Sequence, residues 1–136
     1  MHTFLLAILI IANTIAQEHR SCGHTTKFRQ GFVMNRLYPT QSPNDNICHY
    51  IIDLPESDVR IGYIIYDLNM EEPVDDECVV DSLTVVGGGL APRTYCGSSF
   101  NKTMVVTTMG RLAVVYKSNG ENNNRGFVLF YYTIPK

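Results

Sequence analysis

The sequence predicts an all-β protein in which short antiparallel strands pack as a sandwich or barrel. Three observations point there. From Gln17 onward, runs rich in Val, Ile, Thr, Tyr and Phe recur, and these residues fit a pleated, half-buried surface. Clusters of Gly, Pro, Asn and Asp separate the runs at short intervals, as turns require. Behind the apolar N-terminus, no window longer than about ten residues keeps the 3.6-residue apolar period of a helix.

Taken in order, the first expected strand is Cys48–Asp53. The next, Val59–Leu68, alternates: Val59, Ile61, Tyr63 and Ile65 share one face, and Arg60, Gly62 and Ile64 the other. Val79–Val86 comes after it and runs into Gly87-Gly88-Gly89, a hairpin turn. Met104–Thr108, Leu112–Tyr116 and Phe127–Ile134 complete the set. Turns are expected at Leu54-Pro55, Glu71 to Glu77, Gly87 to Pro92, Met109-Gly110 and Ser118 to Gly126, with Asn122 to Asn124 as a hairpin tip. Regular short strands of this kind argue for packed antiparallel sheets.

The chain has 136 residues, room for one ordinary domain. Phe4 to Ala12 is unbroken apolar sequence, shorter than the roughly 20 residues a membrane helix needs. Thr14 and Ala16 supply small residues at the −3 and −1 positions of a cleavage site. Residues 1–16 therefore read as a secretory signal peptide, and 17–136 as the mature, extracellular domain with its core at 22–134. Four cysteines behind such a leader, none in a C-x-x-C spacing, read as a disulfide framework rather than a metal or redox motif. Three pairings are open to them. The formal net charge is −2 with no basic stripe, which argues against nucleic acid as a partner and gives no pull towards anionic membranes.

The ordered motifs of the mature chain resemble the CUB domain family. Cys22-Gly23, Gly31-Phe32 and Tyr38-Pro39 are similar to the family's opening. Cys48-His49-Tyr50 resembles its C-x-W step, with Tyr for Trp, and Tyr66-Asp67-Leu68 its FDLE segment. Cys78-Val79-Val80-Asp81-Ser82-Leu83-Thr84-Val85 resembles the C-x-Y-D-x-L-x-V signature, with Val80 in the aromatic's place. Tyr95-Cys96-Gly97 and the closing Gly126-Phe127 with Tyr131-Tyr132 complete it. The resemblance implies a jelly-roll-like β-sandwich and the sequential disulfides Cys22–Cys48 and Cys78–Cys96. It also marks a departure, a few extra residues in the acidic loop from Met70 to Cys78.

Many members of that family hold calcium through a Glu ending FDLE, the signature Asp and a later Asp. Here those positions are Asn69, Asp81 and Asn119, so two carboxylates have become amides. Calcium takes six to eight oxygen ligands and its affinity follows their charge. The expectation is a degraded site with weak calcium binding at most, and no other cofactor. Glu71, Glu72, Asp75, Asp76 and Glu77 are substitute ligands on paper, but read more simply as a solvated surface loop.

Catalytic machinery is not expected. The histidines behind the leader are His19, His24 and His49; there is no G-x-S-x-G elbow, no H-E-x-x-H and no phosphate loop opening a helix. Asn101-Lys102-Thr103 is an N-glycosylation sequon. By alternation Tyr63, Tyr66, Tyr116, Tyr131 and Tyr132 are mostly core or sheet-face residues, and one or two that turn outward would serve as partner anchors.

The expected function is that of a secreted, non-catalytic binding protein recognising an extracellular protein or glycan through its strand-connecting loops. Free-standing chains of this kind resemble spermadhesins of seminal fluid and CUB proteins of arthropod venom and saliva. The alternatives are a regulatory or truncated relative of a CUB-bearing extracellular protease, and a self-associating structural protein.

Overall fold

A computed structural model of the chain describes residues 22–40, 46–55, 58–119 and 124–136; the expected signal peptide, His19 and residues 120–123 of the expected 118–126 turn lie outside them. The described strands are β1 (Gly23–Thr26), β2 (Gln30–Met34), β3 (Asn46–Asp53), β4 (Val59–Asn69), β5 (Ser82–Gly87), β6 (Leu90–Tyr95), β7 (Val105–Val106), β8 (Arg111–Ser118) and β9 (Gly126–Pro135). They form a five-stranded sheet in the order β1-β3-β8-β5-β6 and a four-stranded sheet in the order β2-β9-β4-β7. Every pairing is antiparallel except β1 with β3, which is parallel.

Alternation places the core between the sheets. Val59, Ile61, Tyr63 and Ile65 of β4 are buried, with Leu129 and Tyr131 of β9 beside them. Tyr50 and Ile52 of β3, Leu83 and Val85 of β5, and Leu112, Val114 and Tyr116 of β8 face them from the other sheet. Rings cross the gap: Phe127 of β9 lies 5.8 Å from Tyr50 and 5.2 Å from Tyr116. Buried tyrosine hydroxyls need partners. Tyr131 donates to the Phe28 carbonyl at 2.9 Å, and the hydroxyls of Tyr63 and Tyr95 meet at 3.3 Å.

Two disulfides staple the edges of this stack. Cys22–Cys48 joins the start of β1 to β3, and Cys78–Cys96 joins the loop after β4 to the end of β6. Closing loops of these lengths contributes on the order of 3 kcal/mol each in the chain-entropy account. Gly23 has φ +100°, and a Cβ there would meet the His49 carbonyl oxygen at 1.9 Å. Only glycine allows the β1 backbone to come that close to β3.

Several elements differ from the sequence-based expectation. Leu90–Tyr95 is a strand where the chain to Pro92 reads as a turn. Proline is tolerated because β6 is the outer strand of its sheet. The strand expected from Val79 begins only at Ser82, because the Cys78 disulfide and the turned-in Asp81 hold the residues before it. Met104–Thr108 shrinks to two residues, since the Thr107 hydroxyl rather than a main-chain carbonyl accepts the Ile61 N–H, at 2.9 Å. Strands β1 and β2 carry too few β-forming residues to stand out in the sequence.

One irregularity shapes the outer face of the four-stranded sheet. In β4 the register to β9 slips between Ile65 and Asp67, a β-bulge with Tyr66 as the extra residue. Before it the odd-numbered residues face inward; after it Leu68 and Met70 do. Tyr66 ends the outward stripe that runs from Arg60 through Gly62 and Ile64, and the bulge after Ile65 is what returns the even-numbered Leu68 and Met70 to the core.

Candidate functional site

The positions that the resemblance marks for metal lie at one end of the sandwich, and the side chains of Asp81 and Asn69 are already engaged there. Asp81 is 2% exposed. Its two carboxylate oxygens accept the main-chain N–H groups of Glu71 and Asn119, each at 3.2 Å. Asn69 turns its side-chain oxygen to the Arg125 N–H at 2.8 Å. Asp81 thus ties the loop after β4 to the end of β8, which is a structural role. Among the described residues no group of three or more His, Cys, Asp or Glu converges in a metal-binding arrangement. One carboxylate with both oxygens in hydrogen bonds, plus an amide oxygen already used, does not fit a tight calcium site.

A guanidinium stands beside these positions. Arg125 donates from Nε and Nη2 to the Asp67 carboxylate at 3.2 and 3.3 Å, and Tyr38 donates to the same carboxylate. Burial pushes the Asp67 carboxyl up, but the hydrogen bonds from Arg125 and Tyr38 and the Arg125 charge outweigh it and hold it below its ordinary value. Asp67 in turn raises the Tyr38 hydroxyl, chiefly through their hydrogen bond. Asn35 locks the same corner: its side-chain oxygen accepts the Phe127 N–H at 2.8 Å and its amide donates to the Arg125 carbonyl at 2.9 Å. Gly126, at φ +101°, is required here, because a Cβ would sit 2.1 Å from the Asn35 oxygen.

The acidic loop makes a surface hairpin. Val74 and Glu77 exchange both main-chain hydrogen bonds around Asp75 and Asp76, whose φ angles are positive. Glu72 accepts from the N–H and hydroxyl of Ser98. Glu72, Asp75, Asp76 and Glu77 are exposed. His24 packs edge-on against Tyr50, and the strand that carries His49 belongs to the five-stranded sheet. Among the described residues, neither histidine has a hydroxyl or thiol nucleophile paired with it.

The feature that sequence reasoning passed over is the outer face of the four-stranded sheet. Phe32 of β2, Tyr66 of β4, and Phe130 and Tyr132 of β9 form one aromatic surface there. Phe32 lies 6.2 Å edge-on from Tyr66 and 5.0 Å from Phe130, and Phe130 stacks on Tyr132 at 6.0 Å. Tyr66 is 59% and Phe32 54% exposed, and Met34, Met104 and Val106 extend the exposed apolar area. Gly62 lies beneath Tyr132, Ile134 and Met104, each about 3 Å from where a Cβ would stand, so its bare backbone lets those side chains close over β4. Tyr132 donates to the Met104 sulfur. The Lys102 ammonium sits 5.4 Å from the Tyr66 ring centre and 6.0 Å from that of Phe100, a cation–π geometry.

A signal for this face was present in the chain. Phe127–Ile134 is apolar at nearly every position, whereas a strand with one face on the core and one in water alternates. The second apolar face had to lie somewhere. Of the tyrosines weighed as anchors, Tyr66 is exposed, Tyr132 is half-buried, and Tyr63, Tyr116 and Tyr131 belong to the core. Asn101 and Thr103 are exposed and line a cleft of about 440 Å³ that they share with Leu90, Arg93 and Tyr95.

Comparison with known proteins agrees with this architecture. The family model of the CUB domain matches residues 22–131. The chain is 30% identical over 116 residues to Protein SpAN of Strongylocentrotus purpuratus, covering 84% of this chain and 18% of that protein. It is 26% identical over 113 residues to the complement C1s subcomponent of Rattus norvegicus, covering 76% and 16%. It spans less than a fifth of these curated relatives. Among solved structures it is similar to the MASP-1 CUB2 domain bound to Ca2+, with TM-score 0.70 and 22% identity over 82% of this chain and 98% of that one. It is also similar to the extracellular region of zebrafish Gpr126/Adgrg6, with TM-score 0.75 and 22% identity over 85% and 15%. CUB domains are non-catalytic protein-interaction modules of extracellular proteins, and with two stapled sheets and the ordered motifs from Cys22 to Tyr131, this chain belongs to the CUB domain family.

Proposed function

We propose that the mature chain is secreted after cleavage behind Ala16 and acts without catalysis, binding an extracellular protein through the outer face of its four-stranded sheet. The observation that carries this reading is the outward aromatic cluster in which Phe32 and Tyr66 are exposed and Phe130 and Tyr132 half-buried. Contiguous apolar patches on a soluble domain mark interaction surfaces, and tyrosines with apolar neighbours are typical anchors. The binding surface then lies on a rigid sheet rather than on the connecting loops, so little order is lost on association.

Calcium is not needed for this binding, a reading supported by the engaged oxygens of Asp81 and Asn69. Asn101 carries an N-linked glycan, supported by its exposure and by its position towards β6. A glycan there would lie in the cleft that Met104 and Val106 also line, between β6 and the margin of the aromatic face.

The test is site-specific photo-crosslinking. A crosslinking amino acid at position 32 or 66 should capture a discrete partner in the native extracellular fluid. The same group at His49 or Thr84, on the outside of the other sheet, should not. Equal capture from both sheets, or capture only from loop positions, overturns the reading.

A further inference from the structure

The charges around the aromatic face are sorted by sign. Lys102 stands at one margin over Tyr66, and no carboxylate lies within ion-pair distance of it among the described residues. Arg60 occupies the other end of the same outward stripe of β4, opposite Ile134, with its guanidinium on the Pro135 carbonyl. The carboxylate at this margin, Asp67, is already covered by Arg125 and Tyr38. A chain with net charge −2 therefore presents, among the described residues, cations without carboxylate partners beside this aromatic area. Five of the chain's thirteen Asp and Glu residues gather in the 71–77 hairpin next to the Cys78–Cys96 disulfide.

The aromatic surface is also ridged. Phe32 stands at 84° to Tyr66 and at 48° to Phe130, and Lys102 lies over the Tyr66 ring. A sugar stacks on an open, flat ring face. Rings set at steep angles leave furrows that suit branched aliphatic side chains.

We propose that this face docks a segment of a partner protein in which carboxylates flank aliphatic side chains. The aliphatic groups seat between Phe32, Tyr66 and Phe130, and a carboxylate meets the Lys102 ammonium. The inference rests on the reading that this sheet is the binding surface. Lys102 gains from an incoming anion because its present partner is an aromatic ring rather than a carboxylate, so no ion pair has to break first.

The experiment is selection of random displayed peptides on the folded, secreted protein and on three variants: Phe32→Ser, Tyr66→Ser and Lys102→Glu. Circular dichroism melting of each variant checks folding, and Lys102→Glu leaves the sequon intact. Peptides enriched on the unmodified protein should be acidic and aliphatic. Their synthetic versions should lose about tenfold or more in affinity with Lys102→Glu, as expected when a charge partner is reversed. Selection on Lys102→Glu should turn to basic peptides, and both Ser variants should bind none of the originals. Peptides that bind regardless of Phe32 and Tyr66 overturn the assignment of the face itself. Peptides that need the face but carry no carboxylates, or are indifferent to Lys102→Glu, overturn the partner chemistry alone. Two parallel measurements also count against it: binding only to sialylated members of a glycan array, and a dimer in light scattering that Phe32→Ser dissolves.

Discussion

The two sheets of this molecule bury similar inner faces and differ on the outside. The five-stranded sheet presents short aliphatic residues, Ile47, Ile51, Val86 and Val115, interleaved with His49, Thr84, Thr94, Arg111 and Lys117. Its polar groups pair across strands: the hydroxyls of Thr84 and Thr94 meet at 3.1 Å, and Asp53 stands opposite Arg111. The four-stranded sheet presents Phe32, Ile64, Tyr66, Phe130 and Tyr132, with cations only at its margins. Both solutions are compatible with folding, because the core lies between the sheets. An apolar outer face does not stabilise an isolated domain and promotes unwanted association. The concentration of large aromatic side chains on one outer face rather than the other is what supports the proposal that a partner acts there.

Breaking the shared interior should cost the most. Phe127→Ala on one sheet and Leu112→Ala on the other should each lose about 3–5 kcal/mol in guanidinium unfolding, because both residues are fully buried. Near-equal losses sharpen the view that the sheets are symmetric inside. A loss below about 1 kcal/mol for either would break it. Removing the Cys78–Cys96 staple by a double serine substitution should cost about 3 kcal/mol, read in the same assay.

Alkali offers a third probe of the interior. Burial, with a smaller contribution from Tyr116, pushes the Tyr50 hydroxyl up to about 12, and burial with the Tyr95 hydrogen bond raises Tyr63 as well. The unfolded value is near 10. The stability held by these neutral hydroxyls is complete below pH 10 and falls as pH rises through about 12, by up to ~1.4 kcal/mol per pH unit for each group. Absorbance titration should show both tyrosines ionising only as the fold opens; normal titration of every tyrosine near pH 10 in folded protein contradicts this.

Smaller effects belong to the surface. Phe32→Ser and Thr84→Ala, one on each outer face, should both leave stability within about 0.5–1 kcal/mol. Only the first should reduce the binding of an apolar dye such as ANS, and equal dye binding by the two variants removes the contrast. The smallest effect expected is that of calcium. With a dissociation constant no tighter than millimolar, 1 mM calcium adds at most ~0.4 kcal/mol. The melting curve should therefore match that in EDTA, and a shift of several degrees with saturation in the micromolar range shows a real site.

Strand identity was readable wherever one face alternated. Val59 to Ile65 and Leu112 to Tyr116 carry their burial pattern in the order of their residues, because the pleat repeats every two positions. The ordered cysteines and their neighbouring motifs were readable for the same local reason. Less readable were elements whose identity depends on a neighbour. Pro92 is acceptable in β6 only because that strand has a free edge. That Asp81 ties two loops together shows only in the fold, where its oxygens meet the N–H groups of Glu71 and Asn119, ten and thirty-eight residues away in sequence.

By itself, then, the sequence determined the class of fold, the family and the expectation that two former carboxylate positions would hold calcium poorly. Each of these is a property of residue type and short-range spacing. Only the tertiary structure decided which aromatic side chains share one outer face. Phe32, Tyr66, Lys102 and Phe130 come from four separate stretches of chain. They meet because β2, β9 and β4 pair in that order, which sets Phe32, Phe130 and the outward stripe of β4 ending in Tyr66 side by side. Pairing order and bulge placement follow from the balance of contacts across the whole sandwich, which no local window of residues contains.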